Sequence, residues 1–353
     1  MFLGLDKLSL RNFDWKLFVS VIFLISMGFA AIYSVDLSRG SELSFFKKQI
    51  IAFIIGLCFL FAISLSQLSL WRNTSKWWYL GSVALLVAVL VFGASIRGTR
   101  GWFSLFGYSF QPVEIAKVGL ILIMAYVISR FGRRFDRPLF FFGTGLIAFI
   151  PTVLVMAQPD LGSAILLVAI WFGMVWIVGT RRLFLLLFVL ITILMAIVGW
   201  SFLLKDYQKE RLATFVNPNR DPLGSGYNLT QSVIAIGAGR LYGRGLGFGS
   251  QSQLKFLPES QTDFIFSVIG EELGFAGVLT LFILFAVIFW RLAVIIKESE
   301  DDFAAVFASG VLFLFFAQFV TNIGAAIGLL PITGVTLPFV SYGGSSLVMS
   351  LLM

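Results

Sequence analysis

The sequence predicts an all-α polytopic membrane protein of about ten transmembrane helices. Three observations carry that prediction. Of the 353 residues 59% are hydrophobic and only 12% charged, more apolar surface than a soluble domain can hide. Apolar runs of about 20 residues recur along the whole chain, each long enough to cross a hydrocarbon core of roughly 30 Å. Tryptophans mark predicted span ends (Trp71, Trp77, Trp78, Trp290), where amphipathic rings anchor helices at the interface.

The spans are read at 15–34, 46–64, 77–93, 112–129, 139–157, 162–179, 183–204, 264–290 and 303–329, with a last one starting near Ser345. The first is too long for a cleavable leader and has no small-residue cleavage site after it. Pro112 suits the first turn of the fourth span, and the tight turn QPDLG at 158–162 separates the fifth from the sixth. Connections are short except 205–263, a long loop between the seventh and eighth helices. The chain reaches Met353 inside the last span, so the C-terminal part of that helix is expected beyond it. Residues 1–353 read as a single membrane domain.

Basic residues orient the bundle. One set of short connections holds Lys7, Arg11, Lys16, Arg72, Lys76, Arg130, Arg133, Arg134, Arg137, Arg181, Arg182, Arg291 and Lys297. The opposite short loops hold only Arg39, Lys47, Lys48, Arg97 and Arg100. The first set is expected in the cytoplasm, with the N-terminus, which leaves 205–263 outside.

Composition also excludes chemistry. The single cysteine, Cys58, allows no intrachain disulfide and no thiolate cluster, and the chain has no histidine. Acid–base work therefore falls to Asp, Glu, Lys or Tyr. The net charge of +8 is scattered between spans and forms no stripe interleaved with stacking aromatics, so nucleic acid is not expected as a partner.

The stretch around which the rest is organised is FLPESQTDFIFSVIGEELG, 256–274. Glu259, Thr262 and Asp263 end the long polar loop directly before Phe264. A carboxylate at the mouth of a membrane helix is a functional candidate, although capping the helix is the plainer role. Four further stretches fall on the same predicted side. In RGTRGWFSLFGYSFQPVEIAK (97–117), Glu114 and Lys117 lie one turn apart and can neutralise each other. Asp160 in QPDLG can cap the following helix or join a site. The stretch 211–249, containing DPLGSGYNLTQS and IGAGRLYGRGLGFG, spaces glycines so that backbone N–H groups could meet an anion, with a flexible loop as the alternative. In 322–346, Pro331, Gly334, Pro338, Gly343 and Gly344 interrupt helix at membrane depth, which is tolerated only inside protein or beside a cavity. Lys205, Lys209, Arg211, Arg220, Arg240, Arg244 and Lys255 could make the long loop a cationic basin for a phosphate-bearing substrate.

FQPVEIAK (110–117), QPDLG (158–162), DPLGSGY (221–227), LPESQTDFIFSVIGEELG (257–274) and PITGVTLPFVSYGGSS (331–346) resemble, in order, the motifs of the SEDS family. Those shape, elongation, division and sporulation proteins are membrane glycosyltransferases that polymerise lipid II. The short N-terminus and SQSQLKFLPE (250–259) are more similar to its elongation branch than to its division branch. The chain departs from the family where Gly101 separates Arg100 from Trp102, at Val113, and at Gly239–Arg240.

The resemblance implies an essential carboxylate at Asp263, acting as the base of an inverting glycosyl transfer with undecaprenyl pyrophosphate as leaving group. It implies substrate contacts among Arg211, Arg244, Arg100, Trp102, Gln111, Glu114, Lys117, Asp160, Glu259, Tyr227, Ser341 and Tyr342. No dedicated metal-ligand cluster is visible, but a divalent cation, Mg or Mn, could assist with the pyrophosphate. The implied partners are lipid II, a lipid-linked glycan strand and a class B penicillin-binding protein, in the bacterial plasma membrane. The alternatives are a lipid II flippase, which would place ionisable groups at mid-membrane within matching halves, a division-type polymerase, or a scaffold that only recruits other enzymes.

Overall fold

The computed structural model describes residues 13–38, 40, 43–96, 98–105, 108–131, 137–184, 186–190, 209, 213–215 and 225–353. Six helices come first: α1 (Trp15–Ser38), α2 (Ser44–Ser64), α3 (Leu68–Phe92), α4 (Pro112–Phe131), α5 (Pro138–Ala157) and α6 (Leu161–Ile177). After them come α7 (Ser225–Ala238), α8 (Ser250–Gln253), α9 (Ile265–Glu298), α10 (Asp302–Ala326) and α11 (Gly344–Leu352). Seven of these are long and apolar enough to cross a membrane, and α6 is a shorter apolar helix, among the described residues. The predicted span 183–204 is helical at 183–184 and 186–190 and otherwise lies outside the described residues.

Two expectations are corrected. The chain is not purely α-helical: β1 (Ala94–Ile96), β2 (Thr99–Leu105) and β3 (Tyr108–Phe110) form an antiparallel sheet in the order β1-β2-β3. Its register pairs Ala94 with Trp102 and Phe103 with Phe110. These residues have to cross the head of the bundle without helix, and a meander satisfies their backbone groups locally. The second correction concerns 205–263, which is no plain loop, since it contains the 14-residue helix α7.

The bundle is layered around α4. Fourteen of its 20 residues are buried, against three (Gln49, Ala52, Gly56) on α2, so α4 is surrounded by protein while α2 faces outward. Helices α3, α10, α6 and α5 pack on α4, and α11 packs on α2. A Cβ on Gly162, at the start of α6, would stand 2.5 Å from the Thr333 carbonyl oxygen, so only glycine lets α6 approach the segment between α10 and α11 this closely.

The two sets of charges separate by end. At one end Arg291 Nε donates to Asp14 at 2.8 Å and Arg72 pairs with Asp301. At the other, the end of α1, the start of α2, the sheet, the starts of α4, α6 and α9, and the end of α10 meet through hydrogen bonds.

Candidate active site

At that second end, Glu259 takes a left-handed φ of 52° and its carbonyl accepts the N–H groups of Thr262 (3.0 Å) and Asp263 (3.2 Å). The turn delivers Asp263, half-exposed, just ahead of the first turn of α9, where the unpaired N–H groups of a helix favour negative charge. Three consecutive carbonyls are then claimed by the C-terminal third of the chain. Gln261 O accepts the Tyr342 N–H at 2.8 Å, Thr262 O the Ser341 hydroxyl at 2.7 Å, and Asp263 O the Asn322 amide at 3.1 Å. The far side of this clasp is secured too: Gln49 Nε2 donates to Ser341 O at 3.2 Å, and Gly343 donates its N–H to Gln49 Oε1 at 3.1 Å. Gly334 lies beside the carboxylate, with the position of a Cβ there 3.9 Å from Asp263 Oδ2. Within the irregular segment 327–343, Val335 and residues 337–341 are buried inside protein, the condition for broken helix at membrane depth, while Ile327, Leu329 and Gly334 are exposed.

Other predicted site residues join the same end. Asp160 caps α6, accepting from Ser163 N (3.0 Å) and Ser163 Oγ (2.7 Å), and also receives Gln111 Nε2 at 3.4 Å. The Gln111 N–H donates to Ser345 Oγ at 3.3 Å, tying the start of α4 to that of α11. Lys117 Nζ stands 2.7 Å from Glu114 Oε2, with the two side chains 2% and 8% exposed. The pair sits on the most buried helix, so each charge is neutralised inside protein rather than lipid. Glu259 Oε2 receives Gln261 Nε2 and Thr262 Oγ1, each at 3.3 Å.

Arg100 is turned to the end of α3, its Nε donating to Gly93 O at 3.3 Å, and its N–H meets Gln158 O at 3.2 Å. Trp102 is half-buried in β2, and Tyr227 is half-buried on α7. Arg211 lies outside the described residues.

The glycine run departs from expectation. The N–H groups of Arg244 and Gly245 donate to Glu271 O and Glu272 O, both at 3.0 Å, and that of Gly247 donates to Ser34 Oγ at 3.1 Å. They do not form an open anion nest. The cause is a break in α9 at Gly274 (φ 65°), which frees backbone groups that the run then occupies. Phe275 N–H in turn donates to Arg240 O at 2.8 Å. Arg244 contacts Ala238 O (3.3 Å) and Ser250 Oγ (3.2 Å), beside Glu271 rather than in the clasp. Glu271 lies six residues along α9 from Ile265, about 9 Å by helix rise.

Sequence reasoning missed this second cluster. Glu271 and Glu272 are buried. Glu271 receives the N–H groups of Gln251 (2.8 Å) and Ser252 (3.0 Å), and Glu272 Oε1 receives Ser34 Oγ (2.5 Å), Ser252 Oγ (3.1 Å) and Gln253 Nε2 (3.3 Å). The signal available was two carboxylates inside an otherwise apolar span. Asn322 and Gln49 were missed as well, although both are polar residues within apolar helices.

Chemically, the second end offers a half-exposed carboxylate on a fixed backbone. Next to its segment is a cleft of about 270 Å³ lined by Ser38, Ser252, Lys255, Leu257, Pro258 and Ser260. The carboxylate suits proton abstraction, and Lys255, in a cleft that Asp263 does not itself line, can meet an anionic group. Among the described residues no group of three Asp, Glu, His or Cys is placed to hold a metal ion.

Comparison with known proteins agrees with this architecture. Residues 14–353 match the FtsW/RodA/SpoVE family model, described as a cell cycle protein. The chain is 38% identical to the peptidoglycan glycosyltransferase MrdB of Escherichia coli K12, over 88% of this chain and 84% of that protein. It is 35% identical to a probable peptidoglycan glycosyltransferase FtsW of Trichlorobacter lovleyi, over 97% and 91% of the two chains. Among solved structures, a chain from a study of how a peptidoglycan synthase complex coordinates polymerization and crosslinking superposes with a TM-score of 0.81 at 31% identity, covering 97% of this chain and 95% of that one. The rod shape determining protein RodA of Thermus thermophilus gives 0.71 at 27% identity, covering 97% and 94%. The motifs, the clasped aspartate and these matches lead to one conclusion: the chain belongs to the SEDS family of FtsW, RodA and SpoVE.

Proposed function

We propose that this protein is a peptidoglycan glycan polymerase that joins lipid II units. In this reading Asp263 takes the proton from the 4-hydroxyl of an acceptor sugar as that oxygen bonds to the anomeric carbon of the lipid-linked strand. The bond to undecaprenyl pyrophosphate breaks, the pyrophosphate leaves, and the anomeric configuration inverts. The observation that carries the reading is the clasp: in a chain of this family, an aspartate before the first turn of α9 is gripped through its backbone carbonyl while remaining half-exposed. A half-exposed carboxylate on a fixed backbone is a suitable candidate for a general base.

The clasped end faces outward in the bacterial plasma membrane, because the basic short loops gather at the other end. Lys255, in the cleft next to the clasped segment, is the cation offered to the pyrophosphate, with Arg211 as the one the family resemblance implies; Arg244 stands beside Glu271 instead. A divalent cation, Mg or Mn, would have to be held chiefly by that pyrophosphate, since no group of three carboxylates among the described residues is placed to hold one. Identity is 38% both to MrdB and to an FtsW of Escherichia coli O6:H1, so assignment to elongation rests on the 250–259 motif. A class B penicillin-binding protein is the proposed partner, supported by the likeness to a synthase complex that couples polymerization with crosslinking.

Incubating the purified protein with labelled lipid II in detergent, where sidedness is absent, tests the reading. Polymer is expected. Translocation of lipid II across sealed vesicles without any polymer would replace it with the flippase reading.

A further inference from the structure

Asn322 occupies an unusual place between the reacting segment and the irregular loop. It lies on α10, 2% exposed, and its Nδ2 donates to two backbone carbonyls from different parts of the chain. One is Asp263 O at 3.1 Å and the other Val335 O at 2.8 Å. Val335 follows Gly334, whose Cβ position is 3.9 Å from Asp263 Oδ2. A single amide therefore sets both the backbone that bears the carboxylate and the backbone that faces it.

The amide orientation is dictated by these partners, since a flip would set an oxygen against two carbonyl oxygens. Its own Oδ1 is buried with no hydrogen-bond partner. An orphaned buried acceptor is a cost. A residue kept for packing alone would not need it, whereas a residue that must supply two hydrogens from one nitrogen does. Serine or threonine offers one donor, and lysine would bring a charge into this interior.

We infer that Asn322 is a positioning residue that fixes Asp263 and the Gly334–Val335 backbone relative to each other, so that the carboxylate meets the acceptor hydroxyl in productive geometry. The inference rests on the reading of Asp263 as the base. The side chain itself does not touch substrate. Its effect passes through the Asp263 carbonyl, the third of three successive carbonyls held by the C-terminal segment, and the one nearest the carboxylate.

The test is lipid II polymerisation in detergent, read as kcat, KM and the pH–rate profile, with thermal unfolding of each variant. The set is the parent, Asn322→Ala, Asn322→Asp, Asp263→Asn and the double variant Asn322→Ala with Asp263→Asn. Loosening a reacting group by about 1 Å costs up to about 10²-fold, so kcat of Asn322→Ala should fall roughly 10- to 100-fold with KM little changed and the acidic limb displaced. Asn322→Asp keeps the volume but turns an oxygen toward the carbonyls, and should lose kcat similarly. The double variant should be no slower than Asp263→Asn.

A folded Asn322→Ala with parental kcat and pH profile overturns the inference. So does a rise in KM at unchanged kcat, or a double variant whose loss is the product of the two single losses. Should Asn322→Ala not fold, Asn322→Ser, which keeps one donor, replaces it and is expected to show an intermediate loss of kcat; parental kcat in that variant overturns the inference equally. A fully active Asp263→Asn would sink the base reading itself, whatever the Asn322 variants do.

Discussion

Two sets of carboxylates sit on or just before the same helix, and they differ in exposure. Asp263 is half-exposed and gripped through its backbone, its carbonyl bound by Asn322 and its N–H by Glu259 O. Glu271 and Glu272 are sealed, and they are gripped through their carboxylates by Ser34, Ser252, Gln253 and two backbone N–H groups. Both Glu271 oxygens and Glu272 Oε1 take interior donors, while Glu272 Oε2 is buried with no hydrogen-bond partner. A half-exposed carboxylate on a clasped backbone can be reached by a group from outside, whereas a buried one cannot. On the proposed reading, Asp263 carries the chemistry and the glutamates supply cohesion.

The sealed charges should give the largest effects on stability. Removing one partner of a buried pair strands the other, at about 3–5 kcal/mol. Glu114→Ala or Lys117→Ala alone should therefore lower the unfolding midpoint more than the two together, as measured by thermal unfolding in detergent. Equal and additive losses would mean that the two charges act separately.

Glu271→Ala comes next. It orphans the N–H groups of Gln251 and Ser252, at about 1–3 kcal/mol for each unsatisfied group. The expected outcome is a lower midpoint with the specific activity of the folded fraction preserved. A variant of parental stability that makes no polymer would reverse the roles assigned to the two carboxylate sets.

The pair at the opposite end provides the small effect. Burial alone would raise the carboxyl of Asp301, but hydrogen bonds from Arg72, Ala304 and Phe303 hold it below its ordinary value of 3.8. With the folded-state value depressed, the unfolded chain binds the proton more tightly. The stabilisation is thus present above about pH 4 and is lost as pH falls through the folded-state value. Both side chains are about 40% exposed, so Arg72→Ala should cost no more than about 1 kcal/mol at neutral pH. Stability curves of parent and variant should converge in acid. Curves that stay parallel would show that the loss in the variant does not depend on the charge of Asp301.

What the sequence disclosed follows from how local each feature is. Spans were legible because an apolar run is its own signal. The Glu114–Lys117 pair and the Asp160 cap were legible because their partners lie three residues away. The sheet at 94–110 was not, since its strands are short and punctuated by glycine. Glu272 was not, because its Ser34 partner lies 238 positions earlier. Asn322 escaped for a further reason: its partners are backbone carbonyls, 59 and 13 positions away, which have no signature in a sequence. Asp263 could be singled out, but the clasp that fixes it could not. The N–H nest expected of the glycine run failed because tertiary structure, in the break at Gly274, claimed the donors first.

The most direct measurement compares the two carboxylate sets by chemistry alone. Purified parent, Asp263→Asn and Glu271→Gln are given labelled lipid II in detergent, and the glycan products are resolved by length. Asn at 263 preserves shape but removes the base, so polymerisation should fall by about 10²-fold or more at unchanged expression and unfolding midpoint. Folded Glu271→Gln should still polymerise. Polymer made at near the parental rate by Asp263→Asn would contradict the account at its centre.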